Sequence, residues 1–170
     1  MLPEEGSLQT AALQTAQPLP VAALRAKALA LLARREYSRA TLSRRLLPLA
    51  ESVETVERLL DDLTIRQQLS EARYAETRVD MRGRRYGDSR LAHELHQDGL
   101  DDASIAAALA AGEAELPRCQ GVWRRKFAAL PDTLAERARQ QRFLRYRGFS
   151  AEVIRQVLRG LIEEDGTEHE

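Results

Sequence analysis

Most residue types that announce catalysis, export or membrane insertion are scarce in this sequence. Its 170 residues hold one cysteine, one tryptophan and two methionines, and aromatics make up 5%. A lone Cys119 can form neither an intramolecular disulfide nor a zinc site, which takes about four ligands, so packing as a small residue is its expected role. The longest apolar runs, such as Ile105 to Ala111, fall far short of the ~18 to 20 residues of a membrane span. Glu4 and Glu5 stand where a secretory signal would be basic, and a cytoplasmic protein with no membrane partner is expected. Nucleotide signatures are missing too: Gly83 and Gly87 are four apart, but neither a G-x-x-x-x-G-K-[ST] loop nor a G-x-G-x-x-G turn occurs. No serine sits in a nucleophile elbow. His93-Glu94-Leu95-His96 lacks the H-E-x-x-H spacing and a third ligand, so Leu95 is expected in the core, with His93, Glu94 and His96 solvated. No enzyme activity, cofactor or metal is expected.

Lysine is nearly absent as well. Of 26 basic residues only Lys27 and Lys126 are lysines, which favours planar, multi-donor contacts to carboxylate or phosphate. The formal net charge of +0 hides segregation: Arg118 to Arg159 holds eleven basic residues against Asp132, Glu136 and Glu152. The last ten residues add five acids and no Lys or Arg.

What the sequence does have is a repeat. At an offset of 49 residues, Leu46, Leu95 and Leu144 align, as do Val56, Ile105 and Ile154, and Leu60, Leu109 and Leu158. Ser52, Asp101 and Ser150 fall in the same register, each able to cap a third helix. Gly99 and Gly148 precede two of these caps, where a helix must end in a left-handed residue, while the first repeat has Ala50 and Pro48 instead. Leu32, Met81 and Leu130 align near the ends of the first helices; Tyr74 aligns with Trp123, and Arg25 breaks that column. Apolar spacings of three and four predict helices throughout, with no convincing strand.

The pattern predicts an all-α chain of three tandem three-helix repeats, each one longer helix followed by two short ones, in an elongated, curved row. The repeats span roughly 21–64, 69–112 and 114–161. Residues 1–20 and 163–170, the latter acidic, read as disordered tails, because neither buries enough apolar surface to offset its ordering entropy. A repeat of this size is small for a robust core, so neighbours are expected to bury surface against each other, as in solenoids.

Candidate binding residues are arginines. Arg78, Arg82 and Arg85 recur at i, i+4 and i+7, making one stripe if the helix persists, and Arg84, Tyr86 and Arg90 continue it. In the third repeat Arg139, Arg142, Arg145, Tyr146 and Arg147 crowd the second helix beside Phe143 and Leu144. A solvated charge run explains one such stripe adequately; two in a neutral protein favour binding. Three-helix units also describe helix-turn-helix DNA readers. Against that alternative, the first repeat's third helix carries Glu54, Glu57, Asp61 and Asp62 against Arg58, and that of the second, from Asp102 to Ala111, has no basic residue.

Particular residues carry a family resemblance. Arg85-Tyr86-Gly87 with Leu91, Leu95 and Gly99-Leu100, the block from Gln141 to Ser150, and Arg34, Glu36-Tyr37-Ser38 and Leu42 together resemble the RecX recombination regulators over about residues 21 to 160. The resemblance implies tandem three-helix repeats lying in the groove of a RecA filament on single-stranded DNA. It also implies inhibition of RecA ATP hydrolysis, co-protease action and strand exchange, within recombination and the SOS response. The residues it places at the partner are Arg82, Arg84, Arg85, Tyr86 and Arg90, with Arg142, Arg145, Tyr146 and Arg147. They are expected to face RecA carboxylates, with weak direct DNA binding secondary and the chain acting as a monomer.

Overall fold

In a computed structural model, residues 17–160 are described, and they are helical with no strand among them. The helices are α1 (Val21–Leu32), α2 (Arg39–Leu46), α3 (Val53–Ile65), α4 (Glu71–Gly83), α5 (Asp88–Gln97), α6 (Asp102–Ala111), α7 (Glu115–Lys126), α8 (Leu134–Tyr146) and α9 (Ala151–Arg159). The tightest helix pairs, α4 with α6 and α7 with α9 among them, fall within consecutive groups of three, called modules 1 to 3 here. The tail residues 1–16 and 163–170 lie outside the described residues. Residues 17–20 do not, and Leu19 packs on the first core while its N–H donates to Leu49 O at 2.8 Å.

Short polar side chains start the helices. Ser38, Ser52, Ser70, Asp101, Thr133 and Ser150 each accept the backbone N–H three residues on, satisfying a donor that has no partner within the helix. Gly99 and Gly148 have φ of +89° and +85°, the left-handed turn expected before α6 and α9. Module 1 reaches the same corner differently: Leu47–Leu49 forms a 3-10 turn around Pro48, and Ala50 is extended at φ −96°.

Each module has its own core. Leu46, Val56 and Leu60 lie in the first, Leu95 and Ile105 in the second, and Leu144, Ile154 and Leu158 in the third, so the repeat columns are buried three times over. Leu109 is partly buried against the second. The three cores do not merge. Neighbouring modules do bury surface against each other, but mainly through backbone, glycine and charged groups, described below.

Two further expectations need correction. Helix lengths run 12, 8 and 13 residues, then 13, 10 and 10, then 12, 13 and 9. One long helix followed by two short ones is therefore not the rule: Leu59, Leu60 and Leu63 prolong the buried face of α3, and the Thr133 cap starts α8 early. Met81 lies near the end of α4 as expected and is 72% exposed, because the buried residues of α4 are Ala75, Val79 and Gly83, four apart on the opposite face. Its column mate Leu130 is exposed beyond the end of α7.

Candidate functional site

Where modules meet, one joint is built twice, 49 residues apart. Between modules 1 and 2, Ser38 at the start of α2 donates through Oγ to Asp98 O at 2.6 Å. A Cβ on Gly99 would come within 2.6 Å of Ala40 Cβ. Between modules 2 and 3, the equivalent Gly87 N–H donates to Arg147 O at 2.9 Å, and Ser89 N–H to Gly148 O at 3.2 Å. This second joint is the tighter, since a Cβ on Gly87 would lie 2.4 Å from Gly148 O and from the Phe149 backbone. In both, the start of a module's second helix seats on the turn before the next module's third helix.

Arg118 fastens the second joint. It occupies the register of buried Leu69, its side chain is 3% exposed, and it packs over Gly83. Nη1 donates to Tyr86 O and Nε to Glu113 O, each at 2.8 Å, and Nη2 bonds the Asp88 carboxylate. Glu115 Oε1 accepts from Asp88 N at 2.9 Å and Ser150 N at 3.2 Å, placing one carboxylate between the starts of α5 and α9. Neither residue stands among the sequence candidates. An arginine in a leucine column was the available signal for Arg118.

The predicted site residues separate into three sets. Arg82 and Arg90 point inward: Glu94 Oε1 accepts from Arg82 Nη2 at 2.6 Å and from Arg90 Nε at 3.3 Å. Arg78 Nη2 lies 4.0 Å from Glu94 Oε2, an electrostatic contact too long for a hydrogen bond. Glu94 is thus not solvated as expected, its side chain being 15% exposed. Burial pushes its carboxyl up, but the hydrogen bond and charge of Arg82, with Arg90 and Arg78, outweigh that and hold it below the ordinary carboxylate range. The stripe of Arg78, Arg82 and Arg85 also breaks, since α4 ends at Gly83 and Arg85 falls in the turn.

Tyr86 stands between this clamp and the second set. Its ring is flanked by the guanidiniums of Arg82 at 4.6 Å, Arg90 at 4.8 Å and Arg147 at 5.9 Å from the centroid. Arg147 also lies 4.7 Å from the Phe143 ring, and its Nη1 donates to Arg85 O at 3.2 Å. Arg125 Nη2 donates to Arg84 O. Arg84, Arg85, Tyr86 and Arg147 are therefore gathered at the joint of modules 2 and 3. Arg142, Arg145 and Tyr146 form the third set on the exposed end of α8, where Tyr146 is 81% exposed. They do not line the joint.

Each joint is flanked by a cleft. The first, about 370 Å³, is lined by Glu36, Tyr37, Tyr74, Thr77, Arg78 and Asp98 among others. The second, about 340 Å³, is lined by Arg85, Tyr86, Arg125, Lys126, Phe143 and Arg147 among others. Behind the first, Tyr74 Oη donates to Asp98 Oδ2 at 2.5 Å, and burial followed by that bond pushes the phenol up to about 12. Cys119 is buried in the third core, and burial raises its thiol to about 12, which removes it as a nucleophile near neutral pH. No group of three or more potential metal ligands occurs among the described residues.

Fold and joints together define a modular helical protein with paired inter-module clefts. Models of the second and third three-helix domains of RecX match residues 70–109 and 113–158. Regulatory protein RecX of Chromobacterium violaceum is 44% identical over 142 residues, spanning 84% of this chain and 93% of that one. RecX of Ralstonia nicotianae is 44% identical over 155 residues, 89% of this chain and 96% of its own. The chain belongs to the RecX family of regulatory proteins. Crystal structures of a regulatory protein RecX and of RecX from Lactobacillus salivarius share the fold, each with a TM-score of 0.71 over 82% of this chain, at 19% and 16% identity. They cover 73% and 94% of those chains respectively.

Proposed function

We propose that this protein binds the RecA filament on single-stranded DNA and inhibits its ATP hydrolysis, co-protease action and strand exchange. The observation that carries this reading is the repeated joint. A filament repeats one frame at every protomer, and two joints of one backbone design, a module apart, suit seating along it, with the charged contacts concentrated at the second joint. Arg84, Arg85, Tyr86 and Arg147 at the second joint, with Arg142, Arg145 and Tyr146 on α8, supply cationic and aromatic contacts for the anionic groups of that filament, RecA carboxylates and DNA phosphates. Arg82 and Arg90 act one step back, as positioning residues that hold Tyr86 and Glu94.

The test is RecA-dependent ATP hydrolysis on single-stranded DNA. Inhibition is expected at less than one molecule per protomer, and unchanged turnover at equimolar protein rejects the reading. Reversing Arg142 and Arg145 to glutamate should leave melting nearly unchanged, since exposed charges contribute little to folding. The same variant should require several-fold more protein for inhibition, with the defect shrinking as salt rises.

A further inference from the structure

The two clefts are copies in backbone and differ in charge: the first sets Glu36 and Asp98 among Arg35, Arg44, Arg45 and Arg78, whereas the second is lined by four cations and no acid. Adding 49 to three positions that line the first gives three that line the second: Glu36 becomes Arg85, Thr77 becomes Lys126 and Asp98 becomes Arg147. Two acids and a threonine are replaced by three cations on the same scaffold, and Arg125, at the register of Glu76, adds a fourth. Glu94, which answers the arginines of module 2, becomes Phe143 in module 3, so the internal carboxylate is gone as well. Among the described residues, none of Arg85, Arg125, Lys126 and Arg147 pairs with a carboxylate. The C-terminal dipole of α7 favours cations at Arg125 and Lys126, but it does not account for Arg85, which lies between helices.

Gathering four like charges around about 340 Å³ is unfavourable unless an anion arrives. One carboxylate would neutralise a single charge and leave the others opposed. A strand of nucleic acid brings a charge with every nucleotide, and release of its counterions rewards each contact. The volume lies at the small end of ligand pockets, roughly 300 to 1,000 Å³, which suits one stretch of single strand rather than a duplex. Three of the cations are arginines, whose forked donors match phosphate oxygens. The Arg147 guanidinium is held over Phe143 and tied to Arg85 O, so it is already in place.

We propose that the cleft between modules 2 and 3 binds the phosphodiester backbone of single-stranded nucleic acid through Arg85, Arg125, Lys126 and Arg147. The first cleft, where Asp98 pairs with Arg44 and Arg78 and Glu36 adds a second acid, does not. This deepens the regulatory reading and rests on it for its setting, by adding a direct grip on the strand inside the filament. Arg125 and Lys126 become binding residues in their own right.

Anisotropy of a labelled oligothymidylate with the full chain, without RecA, tests the site. Arg125→Glu/Lys126→Glu should weaken binding at least about tenfold at low salt, and its salt slope should become shallower by about 1.4 from the two lost contacts. Arg142→Glu/Arg145→Glu carries the same change in net charge outside the cleft and should lose far less. Should the first variant melt early, Arg125→Gln/Lys126→Gln gives the same ordering with a smaller loss. Equal losses in the two glutamate variants would mean diffuse attraction and overturn the proposal. So would full oligonucleotide affinity in the cleft variant alongside lost RecA inhibition, which would give the cleft to protein carboxylates. The regulatory reading fails separately, if the unaltered chain binds the oligonucleotide and leaves RecA turnover untouched.

Discussion

Burial alone would raise the Glu94 carboxyl; three arginines around it reverse the sign. A carboxyl held below its unfolded value contributes stability that is present above that value and is lost as pH falls through the folded one. Glu94 therefore supports module 2 fully at neutral pH and withdraws its support below about 4.5, the ordinary value for glutamate. Glu94→Gln should cost about 1 to 3 kcal/mol at pH 7 through loss of charge-assisted bonds. Its melting temperature should converge on that of the unaltered chain as pH falls through the lowered folded-state value. Parallel melting curves across that range would show that the cluster contributes nothing linked to protonation. Residues of this kind mark where sequence reading stops. Ser52, Asp101 and Ser150 were legible as caps because a cap is decided within four residues of chain. Glu94 was not, because its arginines on α4 lie a helix away and the stripe they were assigned to bends at Gly83.

Helix packing at the second joint depends on an absence of atoms. Gly87 has φ −83°, which any residue can adopt, so only the approach of Gly148 and Phe149 demands glycine there. Gly87→Ala should leave α5 helical yet wedge the joint, costing about 1 to 3 kcal/mol by overpacking. Hydrogen exchange at Gly87 and Ser89, whose N–H groups donate to Arg147 O and Gly148 O, should accelerate in the variant. Unchanged protection there would mean that the joint tolerates the methyl. The first joint accepts a side chain at the same register, because Ser38 reaches Asp98 O through Oγ instead of its amide. Turn glycines before α6 and α9 could be recognised from their place ahead of a cap. That Gly87 is required by a neighbour 61 residues away could not, since it sits in a Tyr-Gly turn of ordinary backbone shape.

Taken as a whole, the chain joins three small cores by polar joints, and this organisation governs how it should come apart. A shared core transmits a cavity throughout; separate cores confine it to the unit that holds it. Leu46, Leu95 and Leu144 are each 0% exposed and occupy one column, so truncation of each to alanine removes the same atoms from a different module. Each change should cost about 2 to 5 kcal/mol within its module, through lost burial and the cavity left behind. Native-state hydrogen exchange on the three variants should then show protection falling in α1–α3, in α4–α6 or in α7–α9 respectively. Across the tight second joint some spread between modules 2 and 3 is expected, through Arg118 and Glu115, whereas loss from Leu46→Ala should stop at the looser first joint. Uniform loss of protection in all three variants would mean that the polar joints couple the modules as strongly as a common core, and the clefts would then move with the whole chain rather than with the modules on either side.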